Sequence, residues 1–339
     1  MLDVALSLTA GRLIYDRHIA AIQLRQTQLP ALDRLVAILP NGLRIDAEPG
    51  DDVTLMLDGG DSDATVFTGR LTDITRSATG VRLVATNGGA RLAAYRPTLS
   101  LQSLSAGDAI RNLADEVGID VDIEDDGPDL ALYALDGRMT AAQLIADLAR
   151  LSGQGAAFNG DGTLAINAAG GSTERLALKY GREIQALEMT QGDTDGPTLH
   201  VVGEGGAAPS SAKGRLVAAD FDRGDAGTAG LDNRRIALPA IRTTDAARQA
   251  SGALELARRR RAAKVQLTTF LLPQLAPGME LEFAEMPDHL PLAGMRVEEV
   301  VHSVRPGSGA VSVARGTGET GTDPLAFLGD LVGAIGALL

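Results

Sequence analysis

The chain contains no cysteine and no tryptophan, and aromatic residues make up only 3% of its 339 positions. Without cysteine there is no disulfide scaffold, thiol nucleophile, zinc ribbon or iron–sulfur cluster. Apolar residues still reach 45%, so the core must be Ala, Leu, Val and Ile. Positive charge is scarce too: 31 Lys and Arg face 44 Asp and Glu, a net charge of −13. A nucleic-acid binder needs a basic face to displace phosphate counterions, and a protein on anionic lipid needs one as well. Neither specific nucleic-acid binding nor membrane anchoring is expected. No apolar run is long enough to span a bilayer. The opening Met1-Leu2-Asp3-Val4 lacks the basic region of a signal peptide, so the expectation is an acidic, soluble, cytoplasmically made protein.

What is present is turns and short strands. Forty glycines punctuate the chain. Val4–Leu8, Ile22–Arg25, Leu35–Leu39, Val53–Leu57, Thr65–Gly69, Leu71–Ile74 and Val81–Ala85 read as strands at roughly regular spacing, as in a small barrel or sandwich. The character changes at Pro97. Ser105 to Asp108 can cap a helix with Ala109, Ile110, Leu113, Ala114 and Val117 on one face. Ile119, Val121 and Ile123 then alternate with acids, as a half-exposed strand does. A second helix follows Thr140, burying Leu144, Ile145, Leu148 and Leu151, and Asn159-Gly160-Asp161-Gly162 turns a hairpin between 156–158 and 164–166.

Strands resume near 175. Residues 203–235 read as a long loop, a helix covers 244–262 after Thr243 or Thr244, and strands continue to about 318. The expected organisation is a first β-barrel at 1–96, an α+β insert at 97–171, a second β-barrel at 172–318 and an apolar tail at 319–339. The fold class is mainly β with an α+β insert.

Residues 49–89 and 277–318 share a pattern. Pro49-Gly50 leads into Val53–Leu55, then Phe67-Thr68-Gly69-Arg70-Leu71, then Val81–Val84. Pro277-Gly278 leads into Leu281–Phe283, then Leu292-Ala293-Gly294-Met295-Arg296-Val297, then Val311–Val313. Pro-Gly forces a tight turn, and a mid-strand Gly marks a bulge or barrel corner. The two segments are expected to be duplicated β units with superposable barrels; both lying in one continuous sheet would sink the duplication and the six-fold matching that rests on it. A cyclic trimer of such a chain presents six quasi-equivalent modules, which would adapt a three-fold partner to a six-fold one.

The order of features resembles the baseplate hub proteins of contractile phage tails, the late control protein D family. It is similar also to the first part of type VI secretion and injection-system spike proteins. The residues that carry the resemblance are Phe67–Leu71, the helix Ser105–Val117, Met139–Ile145 with Asn159–Leu164, Leu178–Ile184, Val201–Gly203 and Leu275–Leu281. It covers the chain to about residue 318. The resemblance implies a homotrimer in the tail baseplate that meets a central spike, a tail tube or tube-initiator protein, other baseplate components and a tape measure protein. No spike or lysozyme module follows, so a separate spike polypeptide is implied.

No catalytic, cofactor-binding or metal site is expected. His18, His200, His289 and His302 lack metal-ligand spacing, and Asp120–Asp129 lacks the calcium-loop pattern. Asp58–Asp63 reads as an exposed acidic hairpin. No nucleophile elbow, Walker loop or usable dinucleotide fingerprint occurs. Arg258–Arg261 suits a helix C-terminus, with pairing at a subunit interface as the other reading. The expectation is therefore a non-enzymatic structural hub. The alternatives are a tail-associated peptidoglycan hydrolase with its carboxylates in the insert, and a monomeric β-protein that binds a small molecule. Residues 323–339 are almost wholly apolar, with Asp323 and Asp330 the only charges. They pack within the chain, or they insert into a partner or a three-fold bundle. The expectation is docking on a neighbouring chain or the spike.

Overall fold

A computed structural model describes residues 5–58, 63–168, 175–192, 198–202, 233–238, 240–287, 289–290, 292–307 and 309–320. The first β unit comprises β1 (Ala5–Ala10), β2 (Leu13–Tyr15), β3 (Ala21–Thr27), β4 (Arg34–Pro40), β5 (Asp52–Asp58), β6 (Asp63–Arg76) and β7 (Gly80–Thr86). The solid apolar run at 35–39 is a strand because its burial alternates: Leu35, Ala37 and Leu39 point inward while Ile38 is exposed. One face of these strands feeds a single core that includes Leu8, Leu24, Leu39, Leu55, Phe67 and Leu83. The two strands read at 65–74 are one long strand, β6, with register shifts opposite Leu55/Met56 and at Leu71/Asp73.

The α+β portion follows as α1 (Gly89–Ala94), β8 (Ser100–Ser105), α2 (Ala106–Asp115), β9 (Val121–Ile123), β10 (Asp129–Ala134), α3 (Ala141–Leu151), β11 (Gln154–Phe158) and β12 (Leu164–Ala168). Two capping boxes start the longer helices. Ser105 Oγ accepts from Asp108 N at 3.0 Å, and Thr140 Oγ1 accepts from Gln143 N at 3.3 Å, with each N3 side chain bonding back to its cap. The hairpin closes as expected, with Phe158 opposite Leu164. Helix α1 brings Leu92, fully buried, into this second core before Pro97 is reached. The antiparallel ribbon β8–β10 has weak alternation and carries no pattern that sequence reading picks out.

The remaining elements are β13 (Leu176–Lys179), β14 (Ile184–Gln191), β15 (Thr198–Val202), β16 (Asn233–Ala237), α4 (Thr244–Arg260), β17 (Ala263–Phe270), β18 (Glu280–Ala284), β19 (Leu292–Arg305) and β20 (Gly309–Thr320). Thr243 caps α4, accepting from Ala246 N at 3.2 Å. Helix α4 and the parallel pair β15–β16 stand on the α+β core, where Val201, Ala247, Ala250 and Leu254 are buried. Residues 203–232 of the long loop lie outside the described residues, and its last three open β16. Most of the acidic hairpin and of the C-terminal tail, 59–62 and 321–339, also lie outside them.

The second β unit has its own core around Leu178, Leu267, Leu281, Val297 and Val300. Its strands run β14-β17-β20-β19-β18-β13, and the first unit's run β3-β4-β7-β6-β5-β1. Taken in chain order these are equivalent sets, apart from the last pair: β1 is antiparallel to β5, whereas β13 is parallel to β18. The Pro-Gly turns also match. Gly50 N donates to Leu71 O at 2.7 Å and Leu71 N to Asp51 O at 2.8 Å. Gly278 N donates to Val297 O at 2.8 Å and Val297 N to Met279 O at 2.9 Å. Both glycines have positive φ, 102° and 96°, with open space where a Cβ would stand, so glycine is needed there for backbone conformation and not for room. A bulge follows at Leu71/Asp73 in one unit and at Val297/Glu299 in the other.

Two expectations need correction. The shared strand glycines are not equivalent: Gly69 lies opposite Val53, whereas Gly294 lies opposite Glu282, one position further along. The units are also not separate sheets. Strand β19 pairs with β3 from Val304↔Ile22 to Glu299↔Thr27, which makes one continuous 13-stranded sheet. This join overturns the expectation of two separate duplicated barrels, and with it the six-fold matching argued from them; what remains is the matched strand order and turn hydrogen bonding of the two units. The two cores stay distinct but do not divide at the β3–β19 seam: Val304 at the end of β19, with Leu271, joins the first unit's cluster, whereas Val297 and Val300 of the same strand belong to the second.

Candidate assembly surfaces

Alternation at the seam places Arg25, Glu299, Arg315 and Gln266 on the face turned away from the cores, on the adjacent strands β3, β19, β20 and β17. They form a ladder. Arg25 Nη2 donates to Glu299 Oε2 at 2.6 Å, Arg315 Nη1 to Glu299 Oε1 at 2.8 Å, and Arg315 Nε to Gln266 Oε1 at 2.8 Å. Exposed ion pairs contribute about 0–1 kcal/mol each, so the ladder's effect is to fix side-chain direction across the join. Val301 and Val313 face each other beside it, and Phe270, 46% exposed, lies opposite Val311 on the same face.

The α+β unit is bound to both β units. Gln28 N donates to Glu298 O at 3.1 Å and Leu29 N to Ala156 O at 2.8 Å, so one short segment joins all three parts. Arg296 Nη2 on β19 reaches Asn167 O at 2.9 Å. The hairpin tip rests on β6, where a Cβ at Gly160 would stand 1.8 Å from Thr65 O. Between these parts opens a cleft of about 420 Å³ bordered by Gln28, Gln143, Arg150, Gln154, Arg260 and Thr317. A second hollow of about 420 Å³ adjoins it, because Arg150, Ala257 and Arg261 line both.

The residues singled out for chemistry are scattered. His18 and His289 are exposed, and His200 lies on β15. His302 is fully buried on β19, with Nδ1 2.8 Å from Ser312 Oγ and Nε2 3.2 Å from Leu275 O. Leu275 O can only accept, so the neutral imidazole carries its hydrogen on Nε2; Nδ1 then accepts from the Ser312 hydroxyl, whose oxygen accepts in turn from Leu272 N at 3.0 Å. Burial lowers this histidine to about 4. Burial raises Asp33 to about 7, although its carboxyl accepts from Thr27 N and Asn87 Nδ2, both at 2.7 Å. The two groups belong to different units and neither borders the cleft or the adjoining hollow, so no acid–base pair is assembled from them there. Asp122 sits on β9, and Asp126 pairs with Arg111 at 2.7 Å. Among the described residues no three His, Asp or Glu are grouped to hold a metal ion.

The basic run ends α4, where its charge opposes the helix dipole. Arg258 and Arg259 bond Glu255 at 2.7 and 3.2 Å, and Arg260 lies 3.8 Å from Glu280 of the second unit. Glu255 Oε2 also accepts from Leu199 N at 3.3 Å, and Ser251 Oγ accepts from Val201 N at 2.8 Å. Helix side chains thus satisfy the free edge of β15, which no spacing in the sequence announces. The hydrogen bond from Arg258, helped by Leu199 N and Arg259, holds Glu255 down at about 2. A depressed carboxylate stabilises the fold above its ordinary range, and that stability is lost as pH falls from about 4.5 through 2. Glu255→Ala is expected to cost about 1–3 kcal/mol and to speed amide exchange at Leu199. Unchanged exchange there would show that β15 does not depend on the carboxylate.

No protein-family model matches the chain, and no curated protein sequence does either. Solved structures match over nearly its whole length. The 43 kDa tail protein of prophage MuSo2 from Shewanella oneidensis has a TM-score of 0.67 at 16% identity, over 93% of this chain and 98% of that one. A tail protein from Neisseria meningitidis MC58 also gives 0.67, at 17% identity over 93% and 96%. The Escherichia coli protein c3393, described as a type VI secretion component with structural similarity to the T4 bacteriophage tail proteins gp27 and gp5, gives 0.59 at 11% over 92% and 77%. The chain therefore has the fold of phage tail proteins, mainly β with an α+β portion.

Proposed function

We propose that this protein is a non-enzymatic structural hub of a contractile tail or injection machine. Three copies form a ring whose six β units match a three-fold spike to a six-fold tube. The matching no longer follows from two separate barrels; the observation that carries this reading is the repeated strand order and turn hydrogen bonding within one chain, on a fold shared with phage tail proteins. Two alike units per chain are what a trimer needs to present six similar surfaces. The joined sheet, with its ladder and flanking apolar patch, offers a continuous surface for contact within the ring. The α+β unit, with β15, β16 and α4 on it, sits at the periphery. The partners are a separate spike polypeptide, a tube or tube-initiator protein, further baseplate components and the tape measure protein.

Light scattering of the purified chain is expected to give three times the mass of one chain. Glu299→Arg, which sets three like charges in a row, is expected to shift the population toward monomer with the far-ultraviolet circular dichroism unchanged. A strict monomer at all concentrations would overturn the ring. Cleavage of peptidoglycan by the protein alone, abolished by one carboxylate substitution in 97–171, would favour the hydrolase reading.

A further inference from the structure

The buried stripe of α4 outruns the core beneath it. Ala247, Ala250 and Leu254 are buried in the α+β cluster, and the same stripe continues to Ala257, Arg258 and Arg261. These last residues border the second hollow, whose other walls are Leu151 from the end of α3, Leu199 from β15, and Ile236 and Leu238 at β16. All four are half-buried and pack against the edge of the cluster. The hollow is thus a groove with an apolar floor, an extension of the core without a cover among the described residues. Its rim carries Arg150, Arg258 and Arg261.

We propose that the apolar C-terminal segment, residues 322–339, docks in this groove on α4 of its own chain, in place of the neighbouring chain or spike expected from the sequence alone. Three observations select that occupant. The first is where the described chain leaves the fold. Thr317 on β20 pairs with Lys264, just past the end of α4, and it lines the cleft that shares Arg150, Ala257 and Arg261 with the groove. Strand β20 ends at Thr320, so at most a few residues, about 10 Å when extended, separate this end of the strand from the apolar segment. The second is composition: the segment includes Leu325, Phe327, Leu328, Leu331, Val332 and Ile335, which match an apolar floor. The third is charge. The segment carries Asp323 and Asp330 and no Lys or Arg, and the rim carries Arg261 beside Arg150, paired with Asp147, and Arg258, paired with Glu255.

The docking replaces a patch that water would otherwise wet with contacts that continue the α+β core, while the aspartates stay at the arginine rim. It does not rest on the ring, because it concerns one chain alone; a trimer whose tail is elsewhere leaves the hub reading standing.

The natural absence of cysteine makes the test clean. Ala257→Cys is combined in the full chain with Leu325→Cys, Leu328→Cys or Leu331→Cys, and with Thr268→Cys in place of Ala257→Cys as the control on the outward sheet face. A disulfide needs Cα atoms about 4.4–6.8 Å apart. Mild oxidation is expected to close a bond within one chain for at least one groove pair, and for no control pair. Asp330→Arg is expected to lower the yield of that bond about twofold to fivefold, the weight of a rim ion pair. In a second measurement, a chain ending at 321 is expected to show faster amide exchange over Leu254–Arg261 than the full chain, with β17–β20 unchanged. Bonds between chains, bonds as frequent with the control, or no bond at all would each overturn the proposal, as would equal exchange in the shortened chain.

Discussion

Gly316→Ala is expected to destabilise the second β unit by about 2–4 kcal/mol. Gly316 lies in β20 between Val265 of β17 and Val297 of β19. A Cβ built on it would stand 1.8 Å from Arg296 O, a backbone atom that cannot swing aside. Strand β20 is hydrogen-bonded on both edges, so it cannot move from one neighbour without opening the other. The bulge at Val297/Glu299 lies directly beside this approach. Two contrasts make the expectation specific. A Cβ at Gly318 meets side-chain atoms and no backbone: Leu292 Cδ1 and Val265 Cγ2 are closest, with Ala263 Cβ at ordinary contact distance, so it costs less. Gly160 has an equally short approach to Thr65 O, but it sits at a hairpin tip that can lift off β6. Thermal unfolding followed by circular dichroism should rank Gly316→Ala below both other alanine variants. An unchanged midpoint would mean that β19 and β20 do not meet in this register.

What the sequence made legible was local. Capping boxes at Ser105 and Thr140 place α2 and α3 within a residue or two, because the cap chemistry and the apolar stripe are both written in adjacent positions. The Asn-Gly-Asp-Gly turn and the Pro-Gly turns are local in the same way. The join between β3 and β19 was not legible. Its partners are separated by more of the chain than any pattern spans, and each strand alternates equally well beside any neighbour. The ladder Arg25–Glu299–Arg315 depends on that join and was hidden with it. Reading Gly69 and Gly294 as equivalents failed because strand glycines mark close approaches of different backbone atoms: Thr86 O in one unit, Leu281 O in the other. The allegiance of α4 was likewise invisible, since an apolar stripe declares that a helix is covered and not by what.

Asp33→Asn and His302→Gln are expected to give stability curves of opposite slope between about pH 4 and 6.5. His302 is neutral in the fold, and its value falls from 6.5 to about 4 on burial. Between those limits the unfolded chain takes up a proton that the folded chain refuses. Acidification through this window therefore removes stability, up to about 3 kcal/mol at the lower end. Asp33 works in reverse. Burial raises it from 3.8 to about 7, so in the same window the folded chain keeps a proton that the unfolded chain has lost. Its contribution is present below about 3.8 and is lost as pH rises through 7, by about 4 kcal/mol in all. In the native chain the two effects largely cancel, and denaturant midpoints should change little across the window on their account. Asp33→Asn leaves the histidine alone, so its midpoint should fall as pH is lowered. His302→Gln leaves the carboxyl alone, so its midpoint should rise. Each variant loses some hydrogen bonding, which shifts the whole curve; the sign of the slope is the readout. The sites are also separable in space. Asp33 ties Thr27 and Asn87 at the border of the first β unit and the α+β core, while His302 ties the 272–275 loop to the second unit. Amide exchange in Asp33→Asn at pH 4.5 should thus quicken first around Leu272–Leu275. Parallel slopes in the two variants would show that these buried groups do not titrate as their surroundings require.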